Sequence, residues 1–190
     1  CCHLIAEATK LEGIPSGSYD FVLSSHVLEH TANPILALKK WINLLRYHGS
    51  LILILPHKDG TFDHRRTVTT MEHLISDFER QTGEDDLTHM PEILALHDLS
   101  RDLAAGTMED FKARSERNAE NRCFHHHVFD TRLAVNLIDY MGLQIRFVET
   151  IQPLHILIVA QKLSVADVVN NACFTSETAE HLKESPFPSD

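Results

Sequence analysis

Short unbroken apolar runs alternate with helical stripes along this chain, the pattern of an α/β fold. Tyr19 to Ser25 is the first run, a strand that hands Ser24, Ser25 and His26 to a turn ahead of a helix. Asn33 followed by Pro34 is a helix start, because a capping side chain precedes a proline whose missing N–H is harmless at the first position. Ile35, Leu38, Ile42 and Leu45 then recur at helical spacing beside Trp41, Gly49 is read as the stop, and Ser50 to Pro56 is a second apolar strand. The unit is strand, helix, strand. In an open α/β sheet, ligands collect at the carboxyl ends of such strands.

Further on, Thr69 with Glu72 reads as a capping box ahead of Leu74, Ile75 and Phe78, with Gly83 as the end of that helix. Thr107 with Asp110 starts another helix, running towards Asn121. Residues 57–122 therefore form a mostly helical insertion, too long to be an unstructured loop in a compact domain, and its charged character suits a lid over a substrate pocket. Asp130 or Thr131 caps a helix bearing Leu133, Leu137, Ile138 and Met141, closed by Gly142. Two runs around Ile151-Gln152-Pro153 read as an antiparallel strand pair ending the sheet. Residues 163–190 read as a loosely attached tail with a short helix at Val165 to Val169.

These residues carry a resemblance. "YDFVLSSHVLEHTANPILAL" followed by "LLRYHGSLILILP" resembles the fourth strand, fourth helix and fifth strand of class I S-adenosylmethionine-dependent methyltransferases. Arg46 and Gly49 of that family's turn are kept, with Tyr47-His48 where Pro-Gly is usual. "TFDHRRTVTTMEHLISDFE" is similar to a subgroup of bacterial methyltransferases linked to polysaccharide biosynthesis. The resemblance spans about residues 1–162 and implies the C-terminal part of a Rossmann-like methyltransferase sheet, its first strands missing, with the insertion and the terminal strand pair. The family's Gly-rich GxGxG loop has no counterpart here, and "HLIAEATKLEGIPSGSYD" matches the end of the third strand and the loop after it. The expectation is an N-terminally truncated domain that binds cofactor weakly or not at all and leaves the Phe21 to Ser25 strand as an apolar edge.

By the same resemblance the cofactor is S-adenosyl-L-methionine. Glu7 and Ala8 take the place of the acidic-small pair that meets the adenine, and Ser24, Ser25 and His26 border the methionine part. Methyl transfer needs an aligned nucleophile and, for a hydroxyl acceptor, a base, for which His26 and His30 are the candidates. His26, Glu29 and His30 share one face of a helical turn. They are similar to the ExxEH metal motif of some O-methyltransferases, and one of His125, His126 and His127 is a possible further ligand. The other reading is that Leu28-Glu29-His30 is a fold signature, with Leu28 packing and His30 hydrogen-bonded to backbone. The HxxEH string also occurs in inverted zinc peptidases, but there it lies inside a long helix, whereas here Asn33-Pro34 opens a new one. Arg65 and Arg66 are either a clamp for an anionic substrate group or, with Asp63, a structural ion pair.

Composition narrows the partners. With 17 basic against 27 acidic residues the net charge is −10, which disfavours nucleic acid and anionic membrane. No apolar run reaches the roughly 20 residues of a membrane span, so a cytoplasmic protein is expected. Four cysteines without CxxC spacing are expected to be free thiols. Fourteen histidines are many, and most are expected on helix surfaces, with at least one of His125 to His127 turned inward and its neighbours facing solvent. The reading is a methyltransferase acting on a small-molecule or glycan-precursor acceptor. Its alternative is a non-catalytic remnant that binds a partner, and a metal-dependent hydrolase ranks third.

Overall fold

A computed structural model describes residues 6–190. The expected strand end at residues 3–5, with Cys1 and Cys2, lies outside the described residues. The elements follow in the order β1 (Tyr19–Ser25), α1 (Pro34–Leu44), β2 (Leu45–Pro56), α2 (Met71–Arg80), α3 (Met90–Leu96), α4 (Met108–Ser115) and α5 (Asn118–Asn121). Then come α6 (Thr131–Tyr140), β3 (Gln144–Ile151), β4 (His155–Gln161), α7 (Ala172–Thr175) and α8 (Glu180–Lys183). The strands form one mixed, open sheet in the order β1-β2-β4-β3, with β1 and β2 parallel and β4 antiparallel to both its neighbours. This is the α/β sheet that the sequence pattern predicts.

Local chemistry explains most boundaries. The Asn33 side chain accepts from Leu36 N, and Pro34 occupies the first turn of α1. The Asp130 side chain accepts from Leu133 N to start α6, and Gly142, at φ 70°, follows its end. Thr107 and Asp110 form the full reciprocal capping box of α4. That helix stops at Ser115 instead of continuing, and α5 is a separate turn.

Several stops differ from the expectation. Gly49 does not end α1, which finishes at Leu44; it lies within β2, where an added Cβ would sit 3.0 Å from the carbonyls of Arg46 and Asp20. Its role is close backbone approach beside the irregular pairing between Tyr19 and Phe21. The α2 cap is Thr70, accepting from His73 N, because Thr69 is taken by Val128, whose N–H donates to its hydroxyl. Gln81, at φ 56°, ends that helix ahead of Gly83. No helix forms at Val165 to Val169.

The core lies on one face of the sheet. Leu51, Leu53 and Leu55 of β2 and Ile156, Ile158 and Ala160 of β4 alternate inward against Ile35, Leu38 and Trp41 of α1 and Leu133, Leu137 and Ile138 of α6. On the opposite face, Phe21 and Leu23 of β1 and Phe147 of β3 are exposed. Among the described residues β1 is an edge strand, as expected.

The last residues are held, contrary to the loose tail expected. The buried Asp190 carboxylate accepts from Thr131 N and Oγ1, from Ser185 Oγ, and pairs with His57 Nε2 at 3.1 Å. The Phe187 ring stacks on the buried His57 imidazole at 4.1 Å.

Candidate functional site

The carboxyl end of β1 delivers the polar residues. Ser24 is buried with its hydroxyl unpartnered, and Ser25 is exposed. His26 turns the chain through φ 52°, a left-handed conformation that a non-glycine residue adopts at a cost. Its Nε2 lies 3.0 Å from Nδ1 of His155, the first residue of β4, so one proton is shared between the two rings. Its Nδ1 lies 3.5 Å from Glu29 Oε1. Leu28 anchors the following 3-10 turn in the core and thereby buries Glu29, whose two carboxylate oxygens have no hydrogen-bond partner. His30 Nδ1 meets the Phe124 carbonyl at 3.1 Å. Burial, with His125 close by, pushes the His30 pKa below the ordinary imidazole value and favours its neutral form.

Glu7, Ala8, His26 and His30 come together around an open cavity of about 490 Å³. Ser24 and Ser25 do not line it. Two further wall residues, Glu84 and Arg122, come from the helical segment after β2. Arg122 bridges the Glu7 carboxylate at 2.9 Å and the Glu84 carboxylate at 3.3 Å. Burial, with the charge of Glu7 adding to it, raises the Glu84 pKa. Sequence reasoning missed Glu84 and Arg122. They lie in charged stretches whose composition reads as plain surface, and neither spacing nor motif marks them.

The histidine triplet departs from expectation, because His125, His126 and His127 are all buried. So are His57, His97 and His181, so burial and not helix-surface exposure characterises this set. His126 is pushed down to about 3 by burial, with the charge of His89 adding to it. Its Nε2 meets the Asn118 amide nitrogen at 3.0 Å, and Asn118 Oδ1 accepts from Phe124 N, so the imidazole is held as an acceptor. Arg66 is fully buried and spans Asp63 Oδ1 at 3.1 Å and the His125 carbonyl at 2.9 Å. Burial alone would raise the Asp63 carboxyl, but its short hydrogen bond to His125 and the Arg66 charge outweigh this and hold it below the usual range. Of the two readings of this segment, the ion pair is the one present for Arg66. Arg65 instead pairs with Asp98 at 3.2 Å.

The residues at the turn have some capacity for a cation. One donor atom from each of Glu29, His30 and His125 falls within 4.8 Å of the others, a grouping that leaves His26 out. The same carboxylate also lies 3.5 Å from His26 Nδ1, so Glu29, His26 and His155 stand within reach of one another beside the cavity.

Residues 3–53, which include the β1 strand, α1 and most of β2, match the family model described as methyltransferase domain. No curated protein matches the sequence. Among solved structures the chain is similar to a SAM-dependent methyltransferase from Aquifex aeolicus at 11% identity and TM-score 0.45, covering 84% of this chain and 54% of that one. It is similar to a SAM-dependent methyltransferase of Methanosarcina mazei at 18% identity and TM-score 0.45, covering 83% of this chain and 65% of that one. A third likeness is to the methyltransferase CalH in complex with SAH, at 15% identity and TM-score 0.44, covering 83% of this chain and 34% of that one. The chain thus spans about half to two thirds of the length of the first two.

Proposed function

We propose that the chain carries part of an S-adenosylmethionine-dependent methyltransferase, with the cavity beside His26 as the meeting place of methyl donor and acceptor. The observation that supports this most is a coincidence of place. The segment matching the methyltransferase domain supplies Glu7, Ala8, His26 and His30 to one wall of the cavity at the carboxyl end of β1, where an open α/β sheet binds ligands. A volume of about 490 Å³ lies within the range of cofactor pockets. The bound donor would supply an electrophilic methyl group on a sulfonium. Glu7 and Ala8 would face its adenosine part and His26 its methionine part, whereas Ser24 and Ser25, which do not line the cavity, would take no part in holding it.

On this reading His26 takes the acceptor's proton at Nδ1, its Nε2–H is donated to His155 Nδ1 and so fixes the ring, and the Glu29 carboxylate near Nδ1 stabilises the imidazolium that forms. His30 stands beside it as a second, neutral imidazole. The acceptor is a small molecule or a sugar-linked precursor bearing a hydroxyl or amine. The helical segment 57–122 acts as a lid, with Arg122 closing it onto Glu7.

The test is transfer of a labelled methyl group to a panel of hydroxyl and amine acceptors, with donor affinity measured separately. His26→Ala is expected to lower turnover by about a hundredfold or more while donor affinity changes little. Full turnover in that variant would remove His26 from the chemistry. Failure of any acceptor to be labelled, with no donor binding, would remove the reading itself.

A further inference from the structure

A second group of side chains converges away from the cavity, between α2, α3 and the stretch that leads into α6. His73 and Asp77 stand at i and i+4 on one face of α2, His89 immediately precedes α3, and His127 ends the histidine triplet. One donor atom from each lies within 4.8 Å of all the others. His73 Nε2 is 3.2 Å from His89 Nε2 and 3.2 Å from Asp77 Oδ2, and His127 Nε2 is 3.7 Å from the same oxygen. The three rings surround a common point, with centroids 5.0, 5.7 and 5.7 Å apart.

Hydrogen bonding alone leaves this cluster unsatisfied. Asp77 Oδ1 accepts from Thr82 Oγ1 at 3.0 Å, which turns Oδ2 towards the imidazoles, where it is buried without a hydrogen bond. His73 and His89 can share only one proton between their Nε2 atoms. His127 Nε2 has only a long contact of 3.3 Å to the Ala32 carbonyl. Isolated polar atoms buried in this way are costly, and a cation at the centre would engage all four.

The spacing matches one class of ion. Ligands at about 2.0–2.2 Å from a tetrahedral zinc lie roughly 3.3–3.6 Å from one another, close to the two 3.2 Å separations and the 3.7 Å one, with the remaining donor pairs within 4.8 Å. Three imidazoles and one carboxylate suit zinc and neighbouring transition metals, whereas calcium and magnesium prefer an all-oxygen shell. Thr82 is the outer partner that orients the ligating carboxylate. A cavity of about 210 Å³ bordered by His73 and His89 gives the ion a path in.

We propose that His73, Asp77, His89 and His127 form a four-coordinate site for a zinc-class divalent cation, which ties α2 and α3 to the segment ahead of α6. The site is structural, since four protein ligands leave no open position. It is independent of the methyl-transfer reading.

Zinc titration of chelator-treated protein against a competing chelator, with elemental analysis, tests this directly. One equivalent should bind with Kd below about 1 μM and raise the melting temperature. Cobalt in its place should give the intense visible absorption of four-coordinate geometry. His73 is partly exposed, so His73→Ala should fold, and it and Asp77→Asn should each weaken binding by about a hundredfold or more. His30→Gln, which removes a member of the other cluster, should leave zinc affinity unchanged. The proposal is overturned by absence of binding, by a six-coordinate cobalt spectrum, by unchanged affinity in His73→Ala, or by loss of the ion in His30→Gln.

Discussion

Replacing Asp190 with asparagine tests whether the last residues belong to the folded unit. The side chain is buried and accepts from Thr131 N, Thr131 Oγ1 and Ser185 Oγ, with His57 as its fourth partner. It also sits at the start of α6, where the unpaired N–H groups and the helix dipole favour a negative charge. Burial pushes its pKa up, yet the His57, Ser185 and Thr131 hydrogen bonds prevail and hold it at about 2 against an ordinary 3.8. A folded value below the unfolded one means that the unfolded chain binds the proton more tightly. The contribution is therefore complete above about pH 4 and disappears as pH falls towards 2. At 1.36 kcal/mol per pKa unit it amounts to about 2 kcal/mol, with roughly half lost by pH 3. Asp130 nearby works in the opposite sense, because burial first and then the Asp190 charge raise its pKa. Wild-type stability alone would mix the two, so the informative quantity is the difference between wild type and Asp190→Asn in urea melts from pH 7 to pH 2.5. That difference should be about 2 kcal/mol at neutral pH, or about 4–8 °C in Tm, and shrink towards zero in acid. An absent difference would show that residues 185–190 hang free, and a difference constant with pH would show that the carboxylate is not bound as a charge.

Three further substitutions probe other parts of the fold. Gly49→Ala places a Cβ 3.0 Å from two backbone carbonyls that cannot swing aside, so a loss of about 1–3 kcal/mol is expected in chemical denaturation. Arg66→Met should cost about 3–5 kcal/mol in the same assay, because it leaves Asp63 buried without its guanidinium and frees the His125 and His126 carbonyls. Near-neutral stability there would show that the His125 contact suffices for Asp63. Asn33→Ala removes the α1 cap and the bond from Nδ2 to the Asp77 carbonyl, with an expected loss of about 1–2 kcal/mol read as a lower melting temperature.

What the sequence revealed was what local chemistry decides. Alternating apolar residues located β2 and β4, and Asn33-Pro34, Thr107-Asp110 and Asp130 marked helix starts through their own side chains. Misreadings arose where tertiary contacts overrule local preference. Gly49 has the composition of a helix stop, but pairing with β1 draws the chain into a strand, and Thr69 is diverted from capping by Val128. The candidate site was legible only on its β1 side. Glu7 and Arg122 are 115 residues apart, and His26 and His155 are 129 apart, so no window of sequence joins them. His125 and His127 were hidden for the same reason, since their partners Asp63 and Asp77 come from distant segments.

The contacts that attach the helices after β2 fall into two strengths, and the division bears on how the proposed lid would work. At its base Arg66 is fully buried among Asp63 and two backbone carbonyls, so parting these groups would strand charge in a low-dielectric interior. The His73, Asp77, His89 and His127 cluster lies in the same region, and a bound ion would stiffen it further. At the cavity rim, among the described residues, Arg122 pairs with Glu7 and Glu84, and its guanidinium is more than one third exposed. Pairs of that kind are worth about 0.2–1 kcal/mol each and weaken with salt. The base is therefore fixed while the rim is lightly latched, so a segment built this way can admit a ligand by breaking Arg122 contacts without unfolding. Arg122→Ala should accordingly leave the melting temperature within about 2 °C of wild type while it speeds ligand exchange at the cavity, measured by stopped-flow with the methyl donor. A large drop in Tm instead would mean that Arg122 holds the fold, and that the rim is no latch.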